Sequence, residues 1–440
     1  MLVLSDELIQ TTLSHLSPLF FRHYFYQTMP LSRRQILASF TQLTQISALS
    51  AASMATPLWA QTSVPTSAQW LDIEKAARGQ TVYFNAWAGS ERINAYLQWV
   101  AAEVKATYGV TLEHVKIKDT AEVVKRVRGE KAAGKLTDGS VDLVWINGEN
   151  FLNMKKEGLL FGPFAERLPN FQFVDTKGKP TTLRDFAEPT AGLEAPWGMA
   201  QLTFMADSKR LATPPQSMQA LLALAKANPG RITYPRLPNF HGTTFVKQAL
   251  LELSADQTPF GQPFVADKFA ALTAPLWAYL DQLQPHLWRA GKQYPENSAA
   301  VRQMMADGEL IMALTFNPNE AANEIAAKRL PESVISWQFA KGTVGNTHFV
   351  AIPFNAKAKE GAQVLANFLL SPKVQARKAD ITQWGDPTVL NVAALPAADK
   401  AFFTAGAKPG QVTSPAPTWS EPHGSWVEPL EKEWLKRYGA

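Results

Sequence analysis

An open α/β sheet with helical crossovers is the fold class that this sequence predicts, and three observations predict it. Between residues 81 and 156, β-rich apolar runs alternate with amphipathic stretches at short spacing. About 380 residues remain beyond a leader at 1–60, enough for two lobes with cores of their own at ~100–200 residues per domain. Hydrophobic content of 46% and charged content of 18% are those of an ordinary globular chain.

The elements follow in order. Residues 61–78 read as a linker entering a helix. Thr81–Ala86 is the first strand, and Gly89-Ser90 opens a long helix with Ile93, Tyr96, Leu97, Val100 and Val104 at helical spacing. Ser90 is a good cap residue. Val110–Ile117 is the next strand, Thr120 caps a helix to about Ala133, and Val141–Ile146 is a strand buried on both faces by its pattern. Gly148–Lys156 starts a third helix, and Gly158 stops it. Further strands are expected at 193–197, 201–205, 231–234, 309–315, 333–340 and 347–353. Helices are expected over 216–227, from 242, over 269–283, 297–307 and 358–369, and from 371. The stretch 380–427 is loop-rich, and 428–438 closes with a helix.

Residues 29–60 carry an export address. Met29 is a plausible start, with residues 1–28 upstream of it. Ser32-Arg33-Arg34-Gln35-Ile36-Leu37 precedes a mildly apolar stretch and small residues, the layout of a bacterial signal peptide. The Arg33-Arg34 pair looks like a twin-arginine signal. Thr41, Gln42, Thr44 and Gln45 make the stretch too polar for a membrane span, which needs ~20 mostly apolar residues. Cleavage is expected after Ala55 or Ala60, releasing the mature protein into the periplasm.

Cysteine is absent, so disulfides, thiolate metal sites and a lipidated junction are excluded. The pI near 9.1 does not signal nucleic acid, because basic residues are dispersed among acids and Lys125-Arg126-Arg128 reads as a solvated helix face.

In open α/β sheets, ligands sit at the carboxyl ends of the strands. Those loops nominate Asn85, Trp87 and Ser90; Trp145, Asn147 and Glu149; Trp197 at a Pro-Gly crossing; and Trp384 with Asp386. From the second half come Tyr234, Thr243 at a helix start, and Asn317. At least two of Trp87, Trp145, Trp197 and Trp384 are expected to line a cleft. Trp faces with Glu149 and Asp386 suit a flat or cationic solute, thiamine-like or polyamine-like, because a desolvated cation–π contact contributes ~0.5–2 kcal/mol. The competing anion reading uses the helix starts at Ser90 and Thr243-Thr244, with few Arg to help. Tyr234 stands alone, which argues against ferric iron.

The order of landmarks carries a resemblance. APWG at 195–198, NPGRITYP at 228–235, GNTHFVAIP at 345–353 and FLLSPKVQ at 368–375 together resemble the periplasmic substrate-binding proteins of ABC importers. The resemblance covers about 80–435. It implies the type II fold, with lobe one at 62–197 plus 345–395, lobe two at 198–344, and a segment at 396–440 packing across both. It also implies a monomer that closes on one small solute without turnover or cofactor and hands it to an inner-membrane permease.

Catalytic signatures are poor: G-x-S-x-G, H-E-x-x-H and phosphate-loop patterns do not occur. His114, His241, His286, His348 and His423 share no metal spacing. An enzyme on the same scaffold is the alternative, with Asp386, Glu149 and His241 as its candidate groups. A chaperone-like scaffold would show a broad apolar patch instead of a deep aromatic cleft.

Overall fold

The computed structural model describes residues 67–403, 408–413 and 415–439. The export signal with Arg33 and Arg34, the start at Met29 and both cleavage positions lie outside the described residues.

The chain opens with α1 (Ser67–Ala77), β1 (Thr81–Trp87), α2 (Glu91–Tyr108), β2 (Thr111–Ile117), α3 (Thr120–Ala132), β3 (Leu143–Ile146) and α4 (Glu149–Lys156). These are the alternations read from the sequence. The buried residues of α2 are the five of the predicted stripe, because a 3.6-residue period places them on one face. Ser90 stands at the N-cap of α2, but its side chain makes no capping hydrogen bond. For α3 the cap is Asp119, whose carboxylate accepts from the Ala121 amide at 2.8 Å, and Thr120 is already inside the helix.

A hairpin, β4 (Arg184–Asp185) and β5 (Glu188–Pro189), precedes β6 (Glu194–Gln201) and β7 (Thr203–Asp207). Then come α5 (Met218–Ala227), α6 (Phe240–Leu253), α7 (Ala266–Leu283), α8 (Ser298–Ala306), β8 (Ala313–Thr315), α9 (Glu320–Ala326) and β9 (Val334–Trp337). The chain ends with β10 (Thr343–Ala351), α10 (Lys359–Leu369), α11 (Pro372–Ala379), α12 (Ala397–Lys400), β11 (Thr418–Ser420) and α13 (Val427–Tyr438).

One sheet runs β11-β10-β3-β1-β2, with β6 also paired to β10. Within it β1 is parallel to β2 and β3, while β10 is antiparallel to β3 and β6. The second sheet, β8-β7-β9, is antiparallel. Only Leu202 separates β6 in the first sheet from β7 in the second, and β9 to β10 brings the chain back. The two crossings lie side by side, since the Leu202 amide donates to the Val344 carbonyl at 2.8 Å.

Two buried clusters cover the faces of the first sheet, around Phe84-Leu97-Trp197 and around Val144-Phe151-Phe349. Two more cover the second, around Phe204-Leu250-Leu280 and around Met205-Leu310. We call each sheet with its helices a lobe. Trp426, Leu430 and Trp434 of the C-terminal segment are buried in the second core. That segment also reaches the first lobe, where Gly424 lies against the start of α4 and a β-carbon there would come within 3.1 Å of the Glu149 amide nitrogen.

Two expectations change. Arg231–Tyr234 is not a strand: it makes single backbone bonds to Ile311 and Trp288, and Pro235, which has no N–H, prevents a ladder from continuing. The loop-rich tail contains β11, three residues paired parallel to β10 and too short to show periodicity.

The start of α6 is set by Asn239, whose side chain accepts from the His241 amide at 3.0 Å. Asn239→Ala is expected to destabilise the protein by about 1 kcal/mol, measured by chemical denaturation, because a helix N-terminal donor loses its acceptor.

Candidate functional site

Three of the four nominated tryptophans meet. Trp145 at the end of β3 lies edge-on to Trp197 of β6 at 5.0 Å between ring centroids, and 5.7 Å from Trp384. Trp197 and Trp384 are 5.4 Å apart. Trp197 and Trp384 are buried, Trp145 is half-buried and Trp87 is exposed at the end of β1.

The cation among these rings belongs to the protein. Lys378 of α11 is fully buried, with its ammonium 4.8 Å from the Trp197 ring and 4.9 Å from the Trp384 ring. It pairs with Asp386 and donates to the Trp197 carbonyl. His348 lies 3.1 Å from the other Asp386 oxygen. Burial works to raise the Asp386 carboxyl, but the Lys378 charge and His348 outweigh it and hold the group low. Burial pulls the Lys378 ammonium down, against the attraction of Asp386. Gly198 makes room for the pair: a β-carbon there would land on both charged groups.

The loop that carries Trp384 and Asp386 is held from the second lobe. Asn319 donates to the Gly385 carbonyl at 2.7 Å, and Asn317 and Asn323 both donate to the Trp384 carbonyl. Arg92 of α2 spans the same junction, donating to the carbonyls of Asn323 at 2.7 Å and Thr382 at 2.9 Å. Asn317 and Trp384, both nominated from the sequence, thus meet at a clasp between the lobes.

A second cluster gathers carboxylates. Glu149 opens α4; Asp185 accepts from the Gly148 amide at 2.7 Å; Glu431 of α13 accepts from the Thr243 hydroxyl at 2.7 Å. Glu421 pairs at 2.6 Å with Lys247 of α6, and both side chains are buried. Burial pushes Glu149 up, against its own amide and Lys247, and the charges of Asp119 and Glu421 add to the rise. Burial raises Asp185 well above the carboxylate range, against the Gly148 amide, with Glu149 and Glu421 adding to it. Glu431 is pushed up to about 7 by burial, against the Thr243 bond, with Glu149 adding to the rise. Glu149 and Asp185 of the first lobe and Glu421 and Glu431 of the tail thus all feel one ammonium from the second lobe.

Phe186 sits over that ammonium, its ring centroid 4.4 Å from the Lys247 nitrogen, and the Phe240 ring is 5.5 Å away. Phe186 and Ala187 are the turn of the β4–β5 hairpin, with φ of 42° and 66°. Such turns favour Asn and Gly, and a left-handed L-residue with a β-carbon costs roughly 1–2 kcal/mol. A cavity of about 230 Å³ adjoins this point, lined by Phe186, Ala187, Asn346 and Glu421 and also by Arg184, whose guanidinium donates to the Ala187 carbonyl at 3.2 Å. A larger one, about 420 Å³, lies between α7 and α13 and includes none of the strand-end residues.

The remaining nominees are placed elsewhere. Asn85 is buried in β1, accepting from Arg126 at 3.1 Å. Asn147 donates to the Thr347 carbonyl at 3.4 Å. Tyr234 lies in the second core, its hydroxyl accepting from Gln284 at 2.9 Å and Trp434 at 3.0 Å. His241 is half-buried at the start of α6, and removal from water lowers its pKa to about 4. Sequence reasoning missed Lys247 and Lys378. For Lys247 a signal was present: a lone charge in the otherwise uncharged run GTTFVKQALL. Among the described residues no three His, Asp or Glu side chains are placed to hold a metal ion, and no helix is long and apolar enough to cross a membrane.

The comparisons agree with this architecture. The family described as bacterial extracellular solute-binding protein matches residues 98–405. Protein YnjB of Escherichia coli is 48% identical over 373 residues, spanning 85% of this chain and 95% of that protein. The periplasmic binding protein AfuA from Actinobacillus pleuropneumoniae, solved with fructose-6-phosphate, superposes with a TM-score of 0.55 at 16% identity, over 82% of this chain and 99% of its own. The spermidine/putrescine transporter substrate-binding protein PotD from Streptococcus pneumoniae gives 0.56 at 12% identity, over 82% and 100%. At such identities these structures speak for the fold, which is that of the type II periplasmic binding proteins. The chain belongs to the bacterial extracellular solute-binding proteins.

Proposed function

We propose that this protein is the solute-capturing component of an ABC importer, that it works in the periplasm as a monomer, and that its solute is a small organic cation. Capture proceeds by closure of lobe one (62–197 plus 345–395) on lobe two (198–344) about the two strand crossings, with 396–440 packing across both, and delivery is to an inner-membrane permease. The protein is exported through the Arg33-Arg34 signal and cut after Ala55 or Ala60.

One observation carries the choice of solute. Glu421 of the tail pairs with Lys247 of the second lobe, and Glu149 and Asp185 of the first lobe and Glu431 of the tail feel the same ammonium. Burial and mutual repulsion hold their pKa values up, and the opposite charge of a positive guest offsets both effects. A solute bound this way favours the closed state, because it is held by groups from both sides. The exposed rings of Trp87 and Phe240 add aromatic faces at a strand end and a helix start. The Trp145-Trp197-Trp384 group contributes differently, since Lys378 already satisfies it. A cavity of about 230 Å³ suits a polyamine-like chain better than a thiamine-sized one.

The test is thermal-shift screening of the exported protein against polyamines, thiamine, amino acids, sugars and sugar phosphates, with mass spectrometry of each solute afterwards. A ligand present at 100 times its Kd stabilises by ~2.7 kcal/mol. The expected result is an upward shift of the melting midpoint with an amine and no change in that amine. Stabilisation confined to anionic solutes would overturn the cationic reading, and turnover would overturn the transport reading.

A further inference from the structure

The buried Lys247–Glu421 pair has the surroundings of a bound ligand. Lys247 lies in the middle of α6, yet its ammonium is removed from solvent, 2.6 Å from Glu421 and under the Phe186 ring at 4.4 Å. Four carboxyl groups, those of Glu421, Asp185, Glu149 and Glu431, feel its charge. Asp185 is buried with one carboxyl oxygen lacking a hydrogen-bond partner, and it feels the charges of Glu149 and Glu421. Beside it, the cavity of about 230 Å³ is walled by the Asn346 side chain, itself 3% exposed, whose amide oxygen has no partner. A buried ion pair of this kind can usually be exchanged for apolar residues without loss of stability, so packing alone does not account for it. The ring that covers it is presented by two turn residues in the left-handed region, the sort of local strain that persists at ligand clamps.

We propose that the Lys247 ammonium occupies the subsite for the primary ammonium group of the solute, so that the chain carries its own tethered competitor. The inference rests on the cationic-solute reading and narrows it to primary alkylammonium compounds. The solute's amine takes the place between Glu421 and Phe186, its chain enters the cavity beside Asn346, and Lys247 withdraws. The room available is that of a short chain of roughly six to eight heavy atoms, at ~30 Å³ for each water-sized group.

Two variants of the full exported protein test this. Lys247→Met shortens the side chain by the one heavy atom that carries the competing charge. It is expected to bind 1,4-diaminobutane at least tenfold tighter than the unaltered protein by titration calorimetry; equal or weaker binding overturns the proposal. Lys247→Ala deletes the equivalent of a propylammonium group. Added n-propylammonium chloride is expected to raise its melting midpoint saturably by several degrees, with n-propanol and sodium chloride giving no such rise. A response to n-propylammonium no larger than to those controls overturns the proposal as well. If Lys247→Ala does not fold, the Lys247→Met titration decides. Should the unaltered protein bind no amine while Lys247→Ala is still rescued, the cationic-solute reading falls and the ammonium subsite stands.

Discussion

Asp386→Ala is expected to destabilise the protein by about 3–5 kcal/mol, because it leaves the Lys378 ammonium buried without its counter-ion. The pair sits against the first crossing between the lobes. Lys378 donates to the Trp197 carbonyl, and Gly198 has no side chain because the two charges fill that space. The amides of Gly385 and Asp386 both return to the Lys378 carbonyl at 3.0 Å, so the pair also shapes the loop that Asn317, Asn319 and Asn323 grip. Two effects should therefore appear together: a lower denaturation midpoint and weaker solute capture, since the closed state loses its clasp. The double variant Lys378→Met/Asp386→Leu separates charge from packing. Replacing both charges with apolar groups should recover most of the stability, as exchanges of buried pairs are often neutral. Guanidinium unfolding followed by both fluorescence and circular dichroism would measure this and check that the lobes unfold together. A loss below about 1 kcal/mol for Asp386→Ala would mean that water reaches Lys378 and that the pair does not anchor the crossing.

The same residues show what the sequence makes legible. The β1–α2–β2–α3–β3–α4 run could be read because each element repeats its own period, and the buried stripe of α2 is the one the 3.6-residue spacing names. The aromatic position at 145 could be read because ligands sit at the strand ends of such sheets, and those at 197 and 384 because they fall in a Pro-Gly crossing and in the loop after a late helix. Their partner could not: Lys378 lies 181 residues from Trp197, in a helix whose sequence shows an ordinary basic last turn. The carboxylate cluster was half legible. Glu149 stands at a helix start after a strand, but Glu421 and Glu431 come from a tail with no diagnostic period and reach the site only because Trp426, Leu430 and Trp434 bury that tail in the second core. Long-range electrostatic pairing leaves no local pattern, so the sequence shows the charges without showing which of them meet.

Glu149→Gln is expected to weaken capture of an amine solute by about 30-fold or more, since truncating one partner of a buried charge pair across an interface costs ~2–5 kcal/mol. The pH dependence gives this prediction a second, independent readout through Glu431. Its pKa is raised by burial from 4.5 to about 7, with the Glu149 charge adding to the rise. The folded, solute-free protein therefore keeps a proton that the unfolded chain releases near pH 4.5. Its stability should fall as pH rises between these two values and level off above about 7. An arriving ammonium group favours the ionised carboxylate, so binding should expel a proton below pH 7. Affinity should then rise with pH by up to about tenfold per unit between pH 5 and 7 and flatten above it. Calorimetry in buffers of different ionisation enthalpy would count the proton. Glu149→Gln removes one source of repulsion on Glu431, so the inflection should move to lower pH in the variant while overall affinity drops. An affinity that does not change with pH in either protein would separate Glu431 from the solute, and an unshifted inflection in Glu149→Gln would separate the two carboxylates from each other.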